Sequence, residues 1–283
     1  MRSSINRQLL RLAAAVTCVW FLAGQATAMT EVEASWQAGY TGLPAALTGG
    51  TPVLGHWRSS AVQDALSDLE SHRQVPAVIY LHGCTGFGAE GNAYRHFLSL
   101  QGYAFFAPDS LARPERLQNC DPDRHEAGLR GSAGPLRLAE LQYAMAQVAA
   151  LPWIDSARIF LIGFSEGAAA AARYDGDVFA GVVLTAWHCH GGPDNHGLAL
   201  PVPLPILAIV SARDPWYPGL GDRTCGLFMN NRPLARNVVL PQQTHVLLTA
   251  ADSAVARTSR EAILKFLSDA GAARRHRHTS LED

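Results

Sequence analysis

The chain has 283 residues, 48% of them hydrophobic and 17% charged, with a formal net charge of −1. This composition excludes intrinsic disorder, and near-neutral charge excludes a protein that grips nucleic-acid phosphate with a basic face. Five cysteines are too few for a disulfide-built scaffold, which leaves a globular enzyme or binding domain. In chain order, Arg2, Arg7 and Arg11 precede an apolar run from Leu12 to Ala23 and then Ala26-Thr27-Ala28. A basic start, a short apolar core and a small-x-small site read as a secretory signal peptide over 1–28. The run is shorter than the roughly 20 residues of a spanning helix, and no other stretch reaches that length. Its removal takes Cys18 and three arginines, leaving four cysteines and a formal charge of −4 in an exported chain that starts at Met29.

Residues 29–74 give weak signals: a turn at Gly49-Gly50-Thr51-Pro52, an edge strand over Val53–Trp57 and a short helix over Ala61–Leu69. From Val75 onward, strand-length apolar runs alternate with helical patterns. Strands are predicted at Ala77–Leu81, Tyr103–Ala107, Arg158–Ile162, Gly181–Thr185, Leu204–Val210 and Val238–Leu240. Helices are predicted at Tyr94–Leu100, Leu136–Leu151, Ser165–Arg173 and Asp252–Leu267. Continuous rather than alternating Val, Ile and Leu in the strands calls for a mostly parallel, doubly wound sheet with helices on both faces. No repeat or linker divides 29–283, which reads as one α/β domain ending in a polar tail over 270–283.

The strongest chemical signal is Gly163-Phe164-Ser165-Glu166-Gly167, a G-x-S-x-G between a strand and a helix. Serine on such a turn is the nucleophile pattern of serine hydrolases, and its weak hydroxyl needs a base and an orienting acid. Asp214 follows the strand at Leu204–Val210 and His245 follows the strand at Val238–Leu240, in the chain order Ser, Asp, His that this architecture uses. Backbone N–H groups of Cys84, after the first clear strand, and of Glu166, after the serine, are the candidate oxyanion donors. Cys84 lacks the strand-to-helix turn that would make it the nucleophile.

These residues resemble the α/β-hydrolase superfamily and, within it, the dienelactone hydrolase family. The resemblance covers roughly 75–268 and rests on HGCTG from His82, APDS from Ala107, LPWIDSARIFLIGFSEG from Leu151, SARDPWYP from Ser211 and QTH ending at His245. It implies an α/β-hydrolase fold, a triad of Ser165, Asp214 and His245, and no metal or organic cofactor. Serine stands where typical members carry cysteine, which moves the substrate from dienelactone toward esters and lactones in general. Ala168 stands where relatives often have a second glycine. The strand order usual in this fold makes neighbours of the strands before Cys84 and Cys120, and of those before Cys189 and Cys225. Of three possible pairings it therefore implies disulfides Cys84–Cys120 and Cys189–Cys225, against four free thiols.

Trp187, Trp216, Tyr217 and Phe87 fall in loops at the same sheet edge and are candidate substrate-pocket residues. His188, Cys189 and His190, with His196, lack a carboxylate or a second spaced pair and do not make a metal site. The sequence thus points to an exported serine hydrolase of small-molecule esters or lactones, with no nucleic-acid partner and its oligomeric state open. An amidase or peptidase would use the same machinery. A silent hydrolase fold used for binding is disfavoured by the complete triad order.

Overall fold

The computed structural model describes residues 30–282 apart from 68, 70–72, 115, 129–132, 193–194, 220–222 and 233. The signal-peptide reading of 1–28 lies outside the described residues. Ten strands and six helices are labelled in chain order. They are α1 (Thr30–Gln37), β1 (Tyr40–Leu43), β2 (Val53–His56), α2 (Ser60–Ser67), β3 (Val75–Leu81), α3 (Gly88–Leu100) and β4 (Ala104–Ala107). A two-stranded hairpin, β5 (Cys120–Asp121) and β6 (Glu126–Ala127), precedes α4 (Gly134–Ala149), β7 (Ile154–Phe164) and α5 (Glu166–Ala171). The chain continues through β8 (Gly181–Thr185), β9 (Ile206–Ser211), β10 (Arg236–Leu240) and α6 (Ser253–Glu282).

Eight strands form one sheet in the order β10-β9-β8-β7-β3-β4-β1-β2. The run from β10 to β4 is parallel throughout, and β1 pairs antiparallel with both β4 and β2. Side-chain alternation explains the unbroken apolar strands. Ala77, Ile79 and Leu81 of β3 enter one core cluster, whereas Val78 and Tyr80 enter the cluster on the opposite face. A strand covered on both sides has no polar face to show. This is the α/β-hydrolase architecture, and its parallel strands deliver their carboxyl ends to one edge of the sheet.

The elements differ from the sequence reading mainly at their limits and in the first 74 residues. Val53–His56 is an edge strand, as its pattern suggests. Strand β1 is absent from that reading because Thr41 and Gly42 dilute its apolar signal. Gly42 nonetheless fits there, since a Cβ would press on the Ser99 hydroxyl and force it to move. The segment read as a polar tail over 270–283 is continuous with α6, which runs to Glu282. Ala270 is buried and Ala272 and Ala273 favour helix, which carries α6 past Gly271. Among the described residues no helix is long and apolar enough to cross a membrane.

Candidate active site

Strand β7 delivers the chain to Ser165, whose backbone sits at φ 55° and ψ −117°, and α5 starts on the next residue. Side-chain-bearing residues seldom occupy this region, and holding one there costs about 1–3 kcal/mol. Neighbouring structure enforces it. The Ser165 N–H donates to the Thr185 carbonyl of β8 at 2.9 Å, and the Thr185 hydroxyl donates back to the Gly163 carbonyl at 2.8 Å. A Cβ at Gly163 would lie 2.5 Å from the Ala168 Cα, and one at Gly167 would lie 2.5 Å from the Leu81 carbonyl carbon. Both glycines are therefore steric requirements of a helix packed directly on the sheet. Ala168, completely buried, is small enough for the same approach.

The loops after β9 and β10 bring two further side chains to this serine. His245 Nε2 is 2.9 Å from Ser165 Oγ, and His245 Nδ1 is 2.8 Å from Asp214 Oδ2 and 3.0 Å from Oδ1. An ionised carboxylate only accepts, so the network assigns the imidazole proton to Nδ1 and leaves Nε2 to accept from the serine hydroxyl. Asp214 is buried, and its Oδ1 also accepts the Trp216 N–H at 3.0 Å. The Trp216 ring stacks on His245 at 5.1 Å between centroids, and Phe164 lies 5.3 Å away on a tilt. The three residues singled out by chain order thus meet in one hydrogen-bonded line.

Cys84 and Glu166 border the same cavity as Ser165, which has a volume of about 420 Å³. Gly83 lets this loop lie against the neighbouring Phe164 ring, from which a Cβ would be only 3.0 Å away. Glu166 opens α5, where a backbone N–H has no acceptor within the helix. Its carboxylate is paired with Arg116 and lies 3.5 Å from Asn119 Nδ2. Behind Cys84, His82 is completely buried, its Nδ1 2.7 Å from the Gly83 carbonyl while Nε2 accepts the Ser110 N–H at 3.0 Å. Arg137, also completely buried, donates to the His82 carbonyl at 2.9 Å and pairs with Glu140. Burial above all, and then the Arg137 charge, holds the His82 imidazole well below its ordinary pKa and so neutral.

Two disulfides brace the rim, Cys84–Cys120 and Cys189–Cys225. The strands of the main sheet that precede these cysteines are the neighbouring pairs β3–β4 and β8–β9. Cys189 is thus removed from any metal-ligand set, and His188 Nε2 lies 3.0 Å from the Ser211 carbonyl. Burial lowers the His188 pKa, against the opposing pull of Asp214. His190 and His196 pack around Phe228. Among the described residues no group of three or more His, Cys, Asp or Glu could hold a metal ion.

Trp187, Trp216 and Tyr217 line the cavity together with glycines and alanines that include Gly128, Ala133, Gly134 and Ala169. Phe87 does not line it. This ring stacks on Tyr40 at 3.8 Å and packs against the first turn of α3, so it is a core residue. Sequence reading missed Arg116, Asn119, Arg137 and Glu140, which lie in polar stretches or on a helix where charge ordinarily signals solvent. It also missed Glu90, described below.

No curated protein matches the chain. Among solved structures, a putative dienelactone hydrolase from Klebsiella pneumoniae subsp. pneumoniae is similar at 16% identity and a TM-score of 0.56, over 82% of this chain and 99% of that one. A dienelactone hydrolase-like promiscuous phosphotriesterase from metagenomic libraries is similar at 18% identity and 0.55, over 82% and 98%. An esterase from Pyrococcus furiosus is similar at 16% identity and 0.54, over 84% and 96%. At such identities the likeness speaks of fold alone. The family model for dienelactone hydrolases matches residues 64–269, most of the chain and every strand from β3 to β10, and the protein therefore belongs to the dienelactone hydrolase family, a family of α/β-hydrolases.

Proposed function

We propose that the protein is an exported serine hydrolase that cleaves small carboxylic esters or lactones through an acyl-enzyme. The observation that carries this reading is the line from Asp214 through His245 to Ser165, with the serine on a left-handed turn at the cavity wall. His245 takes the Ser165 proton through Nε2 as Oγ attacks the substrate carbonyl carbon. Asp214 keeps the imidazole in the reactive tautomer and stabilises its cation. The N–H groups of Cys84 and Glu166 hold the developing oxyanion, worth about 3–4 kcal/mol per donor in such sites. His245 then returns its proton to the leaving alkoxide. Water, deprotonated by His245, attacks the acyl carbon, and Ser165 leaves with the proton.

With Trp187, Trp216 and Tyr217 and several glycines and alanines among its lining residues, the cavity suits an apolar acyl or aryl group. Glu166 does not offer a free charge to the substrate, being paired with Arg116. Two disulfides support export through residues 1–28, since such bonds persist in oxidising compartments. We assign 29–283 to a single domain.

The test is hydrolysis of a panel of p-nitrophenyl esters and p-nitroanilides by the intact protein and by Ser165→Ala. The reading requires ester turnover in the parent and a loss of about 10³-fold or more in the variant. Faster cleavage of anilides would reassign the substrate class to amides. Equal ester hydrolysis by both proteins would refute the role of Ser165.

A further inference from the structure

The segment that carries His245 contains neither helix nor strand. It leaves β10 at Leu240 and enters α6 at Ser253, so the imidazole is held by whatever fixes this loop. Leu247 and Leu248 are buried, and their backbone N–H groups need acceptors that no neighbouring strand provides. One side chain meets the need. Glu90, in the first turn of α3 and itself 6% exposed, accepts the Leu247 N–H at 3.0 Å and the Leu248 N–H at 2.8 Å on Oε1. Its Oε2 accepts the Thr249 N–H at 2.9 Å and the Thr249 hydroxyl at 2.6 Å.

Glu90 makes no ion pair among the described residues, so four hydrogen-bond donors and no cation compensate this buried carboxylate. A buried acid is costly without such partners, so these four hydrogen bonds fix Glu90 and the loop together. The connection also has a direction. Helix α3 follows directly from the loop that bears Cys84, only six residues before Glu90. One carboxylate therefore ties the loop holding the base to the element that holds the oxyanion loop.

We infer that Glu90 is a positioning residue for catalysis, setting the His245 imidazole at proton-transfer distance from Ser165 and in register with the Cys84 N–H. This rests on the triad reading above. A change in this spacing slows attack by Ser165 and leaves substrate binding, which depends on the cavity walls, nearly unaltered.

The experiment measures, for the intact protein, the second-order rate constant and the final stoichiometry of fluorophosphonate labelling, together with kcat and KM on a p-nitrophenyl ester. The proteins compared are the parent, Ser165→Ala, Glu90→Gln and Thr249→Val. In Glu90→Gln an amide NH₂ replaces one acceptor, so two of the four donors lose their partner at nearly constant volume. The expected result is one adduct per chain, a labelling rate constant reduced about tenfold or more, and a kcat reduced with KM within about twofold. Thr249→Val, which removes only the hydroxyl donor, should slow labelling by about two- to fivefold in the same direction.

Full stoichiometry at the parental rate in Glu90→Gln would overturn the inference. So would reduced stoichiometry at the parental rate, which is the signature of a merely structural role. If Glu90→Gln does not fold, the parental rate in Thr249→Val overturns it. Equal labelling of the parent and Ser165→Ala would instead overturn the triad reading on which the inference rests.

Discussion

Ser165 sits at a positive φ because two glycines beside it allow backbone to touch backbone. This makes Gly167 the most sensitive small residue of the site. In Gly167→Ala the new methyl would be driven into the Leu81 carbonyl, a main-chain group at the end of a central strand that cannot swing aside. Overpacking of this kind costs about 1–3 kcal/mol or more. Urea denaturation should show that loss together with reduced ester hydrolysis, because relief of the clash lifts α5 and Ser165 with it. Unchanged stability would mean that the helix does not lie against β3 as described. At this scale the proposed triad was legible in sequence, since a strand–turn–helix serine and two residues after later strands follow from chain order alone. Glu90 was not. It is a single acid among the glycines of GAEGNA, and its four partners lie more than 150 residues away. Phe87 misled for a different reason: an aromatic residue after a strand fits a pocket and a core equally, and only packing on Tyr40 decides it.

At the scale of elements, covalent links brace some of the loops around the proposed site. Cys84–Cys120 joins the proposed oxyanion loop to the stretch that supplies Arg116 and Asn119 to Glu166, so one disulfide couples two walls of the cavity. Replacing both cysteines by serine should lower stability by about 2–4 kcal/mol, the usual effect of opening a cross-link of this span. It should also lower kcat on p-nitrophenyl esters even at temperatures where circular dichroism shows the variant fully folded. Parental kcat in a folded variant would contradict the coupling. The core strands could be read from their continuous apolar runs, as Gly181–Thr185 illustrates, whereas the hairpin of β5 and β6 could not, having only two residues in each strand. The cysteine pairing was accessible only through the strand order of a known fold, because four cysteines alone allow three connectivities.

For the whole molecule, the parallel sheet gathers every proposed catalytic group at one edge, and the polar network beneath that edge imposes a pH dependence on the fold. Burial lowers the pKa of both His82 and His188 below the ordinary histidine value. Below about pH 6.5 the unfolded chain therefore binds protons that the folded chain refuses, and stability falls as pH falls. The slope contributed by each such group is up to about 1.4 kcal/mol per pH unit. Denaturation midpoints at pH 7.5, 6.5 and 5.5 should decline mostly between the last two, and His82→Gln should flatten that decline whatever its effect on absolute stability. A parallel decline in the variant would mean that His82 takes up its proton in the folded state.

The central claim is that Ser165 is the nucleophile of a hydrolase of this family. Its most direct test is mass spectrometry of the intact protein after exposure to a fluorophosphonate, with peptide mapping of the adduct. The account predicts one adduct per chain, located on Ser165 and abolished in Ser165→Ala, with Cys84 and Cys120 recovered as a disulfide-linked pair. An adduct on any other residue, or undiminished labelling of Ser165→Ala, would contradict it.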